Sequence, residues 1–327
     1  MTVCRFVTLL VTGAILGVAC GGGSSPPSPL PTAAPPTARS AFWSEAAQMP
    51  TPRSEITSAV LDGKIYVVGG FQAAGGNSAI IEAYDPATDS WATVAPLPIA
   101  LDHAMAAAVD GRLYVMGGYR VFGQLISNAT YEYDPASDTW RERAPMPLLR
   151  AAGVAVAIDG AICVMGGVGD EPAVTLAYHP TTDRWSQLAP MPSPREHLTA
   201  AVIDGRAYVI GGRWNGVQVD TVAAFDPDAD KWETLSPMPT ARGGLAAAVL
   251  DGKIHVLGGE DLAARSTFDE HEVYDPATGG WTAAPSLPTA RHGLAVESIA
   301  GQLFVIGGGL QAGLSTSPLV EMFTGGE

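Results

Sequence analysis

Histidines and arginines that recur at regular intervals are the residues of this chain best suited to bind a ligand or a metal. His103, His197 and His292 occupy similar places in a repeating pattern, and imidazole nitrogens are common metal ligands. Arginines recur with the same period, with Leu101 in one of the places, and together they could hold an anion; they are Arg53, Arg150, Arg195, Arg242 and Arg291. Acids that could pair with the arginines recur as well, at Glu82, Glu272 and Glu321. We therefore expect the arginines to be structural.

Sequence signatures of common catalytic sites do not occur in the chain. It contains no G-x-S-x-G, H-E-x-x-H, Walker or C-x-x-C motif. The acidic turn Asp85 to Asp89 lacks the alternating oxygen ligands of a calcium loop, so we expect a solvated turn. Cys163 lies in an apolar run without a cationic neighbour, which predicts a buried, unreactive thiol. The sequence thus predicts no metal and no cofactor.

One short segment combines several groups that recognise ligands. Arg213, Trp214, Asn215 and Gly216 supply a planar donor, an aromatic platform, an amide and a residue that permits a sharp turn. Trp214 is the one tryptophan outside the repeating pattern, and tryptophan is enriched at binding hot spots. This set suits an acidic peptide or a sugar that carries a carboxylate. The alternative is that Trp214 only covers a neighbouring loop.

The elements that would position these residues follow from a repeat of 45 to 49 residues. Paired glycines end a strand-like run in six places: Gly69 and Gly70, Gly117 and Gly118, Gly166 and Gly167, Gly211 and Gly212, Gly258 and Gly259, Gly307 and Gly308. A tryptophan recurs in step at Trp43, Trp91, Trp140, Trp185, Trp232 and Trp281. Before five of these tryptophans stands a Tyr or Phe that is followed by a turn containing proline. We expect the Tyr/Phe and Trp side chains to pack between neighbouring repeats.

Each repeat is predicted to form four strands. In the first one they are residues 56 to 61, 65 to 68, 79 to 84 and a strand at Trp91. Asp62 and Gly63 separate the first two strands and are typical of a two-residue type I′ hairpin. The loops between the second and third strands vary in length and composition, so we expect function there.

Composition excludes several classes of protein. The chain has 327 residues, of which 47% are hydrophobic, so it is not disordered as a whole. Its formal net charge of -15 repels a phosphate backbone, which argues against nucleic acid as a partner.

The amino-terminal residues are typical of export. Arg5 precedes an apolar run from Phe6 to Ala19 that has the length of a signal-peptide core. Cys20 follows a small residue and precedes a Gly/Ser/Pro-rich stretch, an arrangement that resembles a bacterial lipoprotein signal, although Gly17 stands where leucine is usual. We predict a signal peptide over 1-19, a tether over 20-40 and a folded domain over 41-327. Cys20 would carry a lipid anchor as the only membrane contact of an extracytoplasmic protein, at the cell surface or in the periplasm; secretion without a lipid is the alternative.

The double glycines, Tyr and Trp at this spacing resemble the kelch repeat, a blade of about 50 residues in a β-propeller. The resemblance covers residues 41 to 327 and implies an all-β, six-bladed propeller. The last repeat ends before any Trp, so the strand around Phe42 to Ala46 is expected to close the last blade. The three histidines would then belong to blades 2, 4 and 6, and we expect them at the surface. Copper oxidases of this family need a Tyr-Cys-His site, which Cys163 alone does not support.

In this family, residues just after the double glycine and just after the repeated arginine commonly contact a ligand. The resemblance therefore implies a binding face made by Tyr119, Arg213, Glu260, Asp102, Glu196 and His292, to which Arg120, Trp214 and Asn215 are added from the loops themselves. The favoured hypothesis is a monomeric recognition module, without enzymatic activity, that binds a protein or a glycan. The alternative is a carbohydrate-active enzyme similar to kelch-type sialic acid mutarotases, with Arg213 and Glu196 or Glu260 at the reacting sugar.

Overall fold

Short antiparallel strands, joined by turns and loops, make up the part of the chain that the structure describes. The computed structural model describes residues 42–326, and these contain no α-helix and hence no helix that could span a membrane. The predictions for residues 1–41, among them the signal peptide and Cys20, lie outside the described residues. The strands form six four-stranded sheets, each with its strands in the order of the chain from the inside outwards, apart from the shared last sheet.

The six sheets are the blades of the propeller. Their strands are Thr57–Leu61, Lys64–Val68, Ile81–Asp85 and Ser90–Val94 in blade 1; Met105–Val109, Arg112–Met116, Thr130–Asp134 and Thr139–Arg143 in blade 2; Val154–Ile158, Ala161–Met165, Thr175–His179 and Arg184–Leu188 in blade 3; Thr199–Ile203, Arg206–Ile210, Val222–Asp226 and Lys231–Leu235 in blade 4; Ala246–Leu250, Lys253–Leu257, His271–Asp275 and Gly280–Ala283 in blade 5; Ala295–Ile299, Gln302–Ile306, Val320–Thr324 and Phe42–Glu45 in blade 6. The first strand of each blade contacts the first strands of both neighbours, so the blades form a closed ring. The predicted all-β, six-bladed propeller is confirmed.

The amino-terminal strand completes the last blade. Phe42–Glu45 pairs antiparallel with Val320–Thr324, so that Trp43 lies opposite Phe323 with ring centroids 5.0 Å apart. The Trp43 indole donates a hydrogen bond to the carbonyl of Pro285, at 3.0 Å. The predicted closure is therefore confirmed, and Val320–Thr324 is paired on both sides.

Local sequence explains the turns at both ends of the blades. Asp62 and Gly63 have φ values of 50° and 74°, the left-handed pair that a type I′ hairpin needs. Gly69 also has a positive φ, and a Cβ there would lie 2.5 Å from the carbonyl oxygen of Leu101. The second strand of the blade can therefore end against the segment at Leu101 only with glycine at this position.

Neighbouring blades are joined by a repeated set of hydrogen bonds. Between blades 1 and 2, the Trp140 indole donates to Ala95 O (2.9 Å), and Ala95 N donates to Asp138 Oδ1 (2.8 Å). The Tyr133 hydroxyl donates to the same carboxylate oxygen, at 2.7 Å. The predicted packing of Tyr and Trp between blades is confirmed. Asp138, in the turn before Trp140, has a structural role.

Three of the repeated arginines are buried in ion pairs. Arg53 contacts Glu82 at 2.7 Å and Arg242 contacts Glu272 at 2.6 Å, while Arg291 contacts Glu321. Arg150 and Arg195 lie in blades without such an acid, and they donate instead to backbone oxygens, among them Gly166 O and Val209 O. Burial lowers the pKa of Arg150 and of Arg195 to about 10. All five side chains are buried, so the arginines are part of the blades rather than an open ring for an anion.

Cys163 lies in the second strand of blade 3. Its side chain is buried, and burial raises the pKa of the thiol to about 11. The predicted burial of Cys163 is confirmed, and a raised pKa is what an unreactive thiol is expected to have.

Candidate functional site at the loop end of the channel

Six residues surround the channel axis where each chain segment crosses from one blade to the next. Each stands two positions after the repeated arginine or Leu101 and has a left-handed backbone, with φ values from 50° to 66°; they are Glu55, His103, Ala152, His197, Gly244 and Gly293. From His103 to Gly293, each amide donates a hydrogen bond to the carbonyl of the preceding member, at 2.8 to 3.1 Å. We call these residues the inner ring. They line a cavity of about 80 Å³, whereas the channel between the first strands encloses about 550 Å³.

A second set of residues surrounds the inner ring. The residue just after each repeated arginine or Leu101 pairs with the residue just after a double glycine, as in Asp102 with Tyr119 and Glu196 with Arg213. Gly243 pairs with Glu260 in the same way. This repeated bridge holds the segments that cross between blades beside the loops that follow the double glycines, at the same end of the channel.

Arg213 is bound by several groups of the site. Its Nε contacts Glu196 Oε1 and its Nη1 contacts Glu260 Oε1, both at 2.9 Å. Its Nη2 lies 3.0 Å from His197 Nε2. Of the five N–H donors of the guanidinium, three are therefore already used.

Two histidines and one glutamate of the inner ring converge on one point. Nε2 of His103 lies 2.9 Å from Nε2 of His197 and 3.2 Å from Oε2 of Glu55. Nε2 of His197 lies 3.9 Å from the same carboxylate oxygen. Burial and the neighbouring His103 hold the pKa of His197 well below its usual range. Burial alone would raise the pKa of Glu55, but contacts with the histidines hold it below its usual range.

His292 approaches the other oxygen of Glu55. Its Nδ1 lies 3.2 Å from Glu55 Oε1 and 3.5 Å from Glu260 Oε2, and its side chain is wholly buried. Burial lowers the pKa of His292, and the two carboxylates outweigh this and raise it. The carboxylate of Glu260 also accepts a hydrogen bond from Gly313 N, at 2.8 Å.

Aromatic side chains cover one side of this cluster. The ring of Phe122 stacks on His103, with centroids 5.5 Å apart and an angle of 16°. Phe71 and Tyr119 meet the same imidazole edge to face, at 5.7 and 5.6 Å. The polar side chains around Arg213 and Glu55 form the centre of the site, which we call the polar centre. The three aromatic rings form a wall on one side of it.

The structure brings together six of the nine predicted binding residues, namely Asp102, Tyr119, Glu196, Arg213, Glu260 and His292. Trp214 is half-buried in the short hairpin of Arg213–Trp214 with Val217–Gln218, and Asn215 is exposed at its turn. Arg120 is exposed. Within residues 42–326, no hydrogen bond joins the side chains of Arg120, Trp214 or Asn215 to the polar centre.

The expectation that the three histidines lie at the surface is wrong. His103 and His292 are 7% and 0% exposed, and the side chain of His197 is 9% exposed. They converge because all three stand on the crossings nearest the axis. Glu55 was not predicted, although it occupies the same place after Arg53 as His103 does after Leu101.

Exposed apolar side chains are concentrated on the loops around this site. Nine large hydrophobic residues are exposed among residues 42–326, and eight of these lie at the loop end: Val121, Phe122, Leu125, Leu149, Val217, Leu262, Leu310 and Leu314. The ninth, Phe42, belongs to the closing strand. We call the eight residues the apolar rim.

Comparison with known proteins agrees with the repeat pattern. The sequence model of the KLHDC2/KLHL20/DRC7 Kelch-repeats domain matches residues 40–191 and, in a second match, residues 175–308. A solved structure described as "Structure of YjhT" aligns with a TM-score of 0.72 at 20% sequence identity, over 84% of this chain and 96% of that chain. At this identity the likeness shows the propeller fold alone. No curated protein sequence matches. Since the family match extends over more than half of the residues, the chain belongs to the kelch-repeat family.

Proposed function

We propose that this propeller is a ligand-recognition module that binds a protein or a glycan through its loop end. The observation that carries the proposal is the apolar rim, which holds eight of the nine exposed large hydrophobic side chains of residues 42–326. Clustered apolar side chains on a soluble surface are typical of interaction sites. The opposite end of the blades presents Asp-Gly hairpins and acidic turns instead.

The polar centre inside the apolar rim supports specific recognition. Glu55 and Glu196 offer partly exposed carboxylate acceptors, and Phe122 and Tyr119 offer aromatic faces. Aromatic faces and fixed acceptors suit a ligand with both apolar faces and hydroxyl or amine donors. Because Arg213 already pairs with two carboxylates, a ligand carboxylate would have to compete for it.

A second function is favoured by the grouping of Arg213 with Glu196 and Glu260. Buried acids and histidines with shifted pKa values are typical of catalytic sites as well as of binding sites. In a carbohydrate-active enzyme similar to the sialic acid mutarotases, this arginine would hold the sugar and an acid would exchange a proton. NMR measurement of anomer exchange on any sugar that binds separates this function from simple recognition.

The binding proposal is tested with glycan and random-peptide arrays. The wild type is compared with the triple variant Val217→Ser/Leu262→Ser/Leu314→Ser, and Phe42→Ser serves as the matched control because Phe42 is exposed away from the rim. Trp214→Ala tests the half-buried tryptophan in the same experiment. We expect the wild type to give binding signals that are about tenfold or more weaker for the triple variant and unchanged for the control. Equal signals from the triple variant and the wild type would contradict a binding site at the loop end.

Export and surface display complete the proposal and are supported by the sequence alone. Cys20 follows an apolar run and precedes a Pro-rich stretch, as in lipid-anchored exported proteins. In a bacterial host, the wild type is expected in the membrane fraction and Cys20→Ala in the soluble fraction. Equal membrane association of both proteins would contradict lipidation.

A further inference from the structure

We propose that the inner ring binds one divalent transition-metal ion through His103 Nε2, His197 Nε2 and the carboxylate of Glu55. The three atoms are 2.9, 3.2 and 3.9 Å apart. Ligand atoms that share a metal at bond lengths near 2.0–2.1 Å lie roughly 2.9 to 3.4 Å from one another in octahedral or tetrahedral geometry. Two of the separations lie within this range and the third, between His197 Nε2 and Glu55 Oε2, exceeds it, so an ion at the centre requires the carboxylate and this imidazole to move closer together.

Each imidazole is also oriented as a metal ligand is. Nδ1 of His103 lies 2.5 Å from Asp102 Oδ1, and the carboxylate of Glu196 stands against Nδ1 of His197, although those two atoms do not form a hydrogen bond of normal geometry. A carboxylate on one ring nitrogen holds the proton there, so that the other nitrogen presents its lone pair to the metal. Both histidines therefore point an Nε2 atom toward Glu55 with a carboxylate behind the ring.

Another pair of buried histidines shows that this arrangement is not general for the fold. His255 Nδ1 and His271 Nε2 lie 2.8 Å apart in blade 5, as close as the atoms at the inner ring. The remaining nitrogen of His271 contacts the backbone oxygen of Pro285, and neither ring has a carboxylate partner among residues 42–326. The His255 and His271 pair thus lacks both the acid ligand and the orienting acids.

Charge and unsatisfied groups point to a cation as well. Four carboxylates, those of Glu55, Asp102, Glu196 and Glu260, lie in the cluster or directly behind its imidazoles, against the one guanidinium of Arg213. Asp102 Oδ2 and His292 Nδ1 belong to side chains with no exposed area, and neither atom makes a hydrogen bond of acceptable geometry. Buried polar atoms are rarely left unsatisfied, and His292 Nδ1 faces the same Glu55 carboxylate. Arg213 would give up its contact with His197 Nε2 when the ion binds, and would retain Glu196 and Glu260.

The donor set selects the class of metal. Two imidazoles and one carboxylate suit Zn²⁺ or Fe²⁺, whereas Ca²⁺ and Mg²⁺ prefer oxygen ligands. Three protein ligands leave at least one coordination position for water or a ligand atom. The metal site shares Glu55 with the proposed recognition site, but its test is independent, since metal binding is measured with no other ligand present.

The test uses the full chain, treated with a chelator and then titrated with Zn²⁺ in a calorimeter, with metal content measured after dialysis. We expect about one Zn²⁺ per wild-type chain. His103→Asn, His197→Asn and the near-isosteric Glu55→Gln should weaken binding by about 100-fold or more, and Asp102→Asn, which alters only the orienting acid, by about 10- to 100-fold. His255→Asn is the matched control, because it also breaks a buried histidine pair, and it should keep the wild-type affinity.

Circular dichroism and thermal melts of each protein show which variants are folded. Zn²⁺ is expected to raise the melting temperature of the wild type and of His255→Asn, but not of folded Glu55→Gln. Co²⁺ should give visible absorption bands in the wild type that are lost in His103→Asn. The proposal is overturned if folded wild-type protein binds no stoichiometric Zn²⁺, or if binding persists unchanged in the folded Glu55→Gln and His197→Asn variants.

Discussion

At the scale of single residues, the repeated arginines of the blades form buried ion pairs that are separate from the polar centre. Arg53 and Glu82 are almost fully buried and compensate each other, with Arg53 also donating to Gly69 O and Ile80 O. Burial lowers the pKa of Arg53, and Glu82 partly offsets this. Such pairs hold the second and third strands of a blade to the crossing segment.

Removing one partner of this pair should lower the stability of the protein. Arg53→Met leaves the Glu82 carboxylate buried without its partner, and we expect a loss of about 3–5 kcal/mol in the free energy of unfolding. Arg53→Met/Glu82→Leu should recover part of this loss, because no buried charge then lacks its partner and what remains unpaired is two backbone oxygens and the Thr51 hydroxyl. Urea denaturation measures each value.

The exposed pair of Arg206 and Glu233 provides the control, with side chains 34% and 60% exposed. Arg206→Met should cost about 1 kcal/mol or less. If Arg53→Met were no more destabilising than Arg206→Met, the structural assignment of the repeated arginines would be wrong.

Glu297 gives the fold a pH dependence. It lies in the first strand of blade 6, faces the channel and accepts a hydrogen bond from Ser58 at 2.6 Å. Burial raises its pKa to about 7, so the folded protein binds a proton that the unfolded chain releases near its ordinary pKa. The stabilising effect of the protonated carboxyl is present below the unfolded pKa and is lost as the pH rises to about 7.

Glu297→Gln should therefore stabilise the protein at pH 8, by at most about 3 kcal/mol, and change stability little at pH 4. Thermal melts of the wild type and the variant across this range measure the difference. A stabilisation that is the same at both pH values would contradict a raised pKa.

Most of the site residues could be predicted from the sequence, and the exceptions have a physical cause. Asp102, Glu196 and Arg213 stand next to repeated landmarks, the arginine and the double glycine, so their place in the blade could be inferred. Glu55 and the burial of His103 depend on the left-handed crossings around the axis. Four of the inner ring residues, Glu55, His103, Ala152 and His197, are not glycine, so no composition signal marks the backbone they adopt.

At the scale of elements, the closing strand is the part of the fold with the largest consequence for the ring. Phe42–Glu45 is the outermost strand of blade 6 and the only one that comes from the other end of the described chain. Its Trp43 packs on Phe323 and His271.

A chain that begins at residue 50 should leave Val320–Thr324 as an unpaired edge. We expect a lower melting temperature and aggregation, because an exposed strand edge pairs with other chains. A chain that begins at residue 41 keeps the strand and is the control. Equal melting temperatures of the two proteins would show that the strand is dispensable for closure.

The sequence predicted the four strands of the first blade to within one or two residues, because a double glycine and an Asp-Gly turn mark their ends. It did not predict the short two-stranded ribbons at the loop end, such as Arg213–Trp214 with Val217–Gln218. Three of the five ribbons among residues 42–326 form within one variable loop, and two pair a crossing segment with a variable loop. Their strands of two or three residues are too short to show a period of two.

At the scale of the whole molecule, the two ends of the propeller differ in chemistry. The loop end combines the apolar rim with a buried polar centre, while the other end is formed by hairpins and acidic turns. A formal net charge of -15 keeps such a molecule soluble even though one end is apolar. This difference in chemistry is the reason to expect ligands at the loop end.

Hydrogen–deuterium exchange with the tightest-binding peptide or glycan from the arrays is the sharpest test of binding at the loop end. Protection on binding is expected to be confined to the loops after the double glycines, around Phe122, Trp214 and Leu314, and to the crossings at Glu55 and His197. Protection at the Asp-Gly hairpins of the opposite end, with the loops unchanged, would contradict binding there.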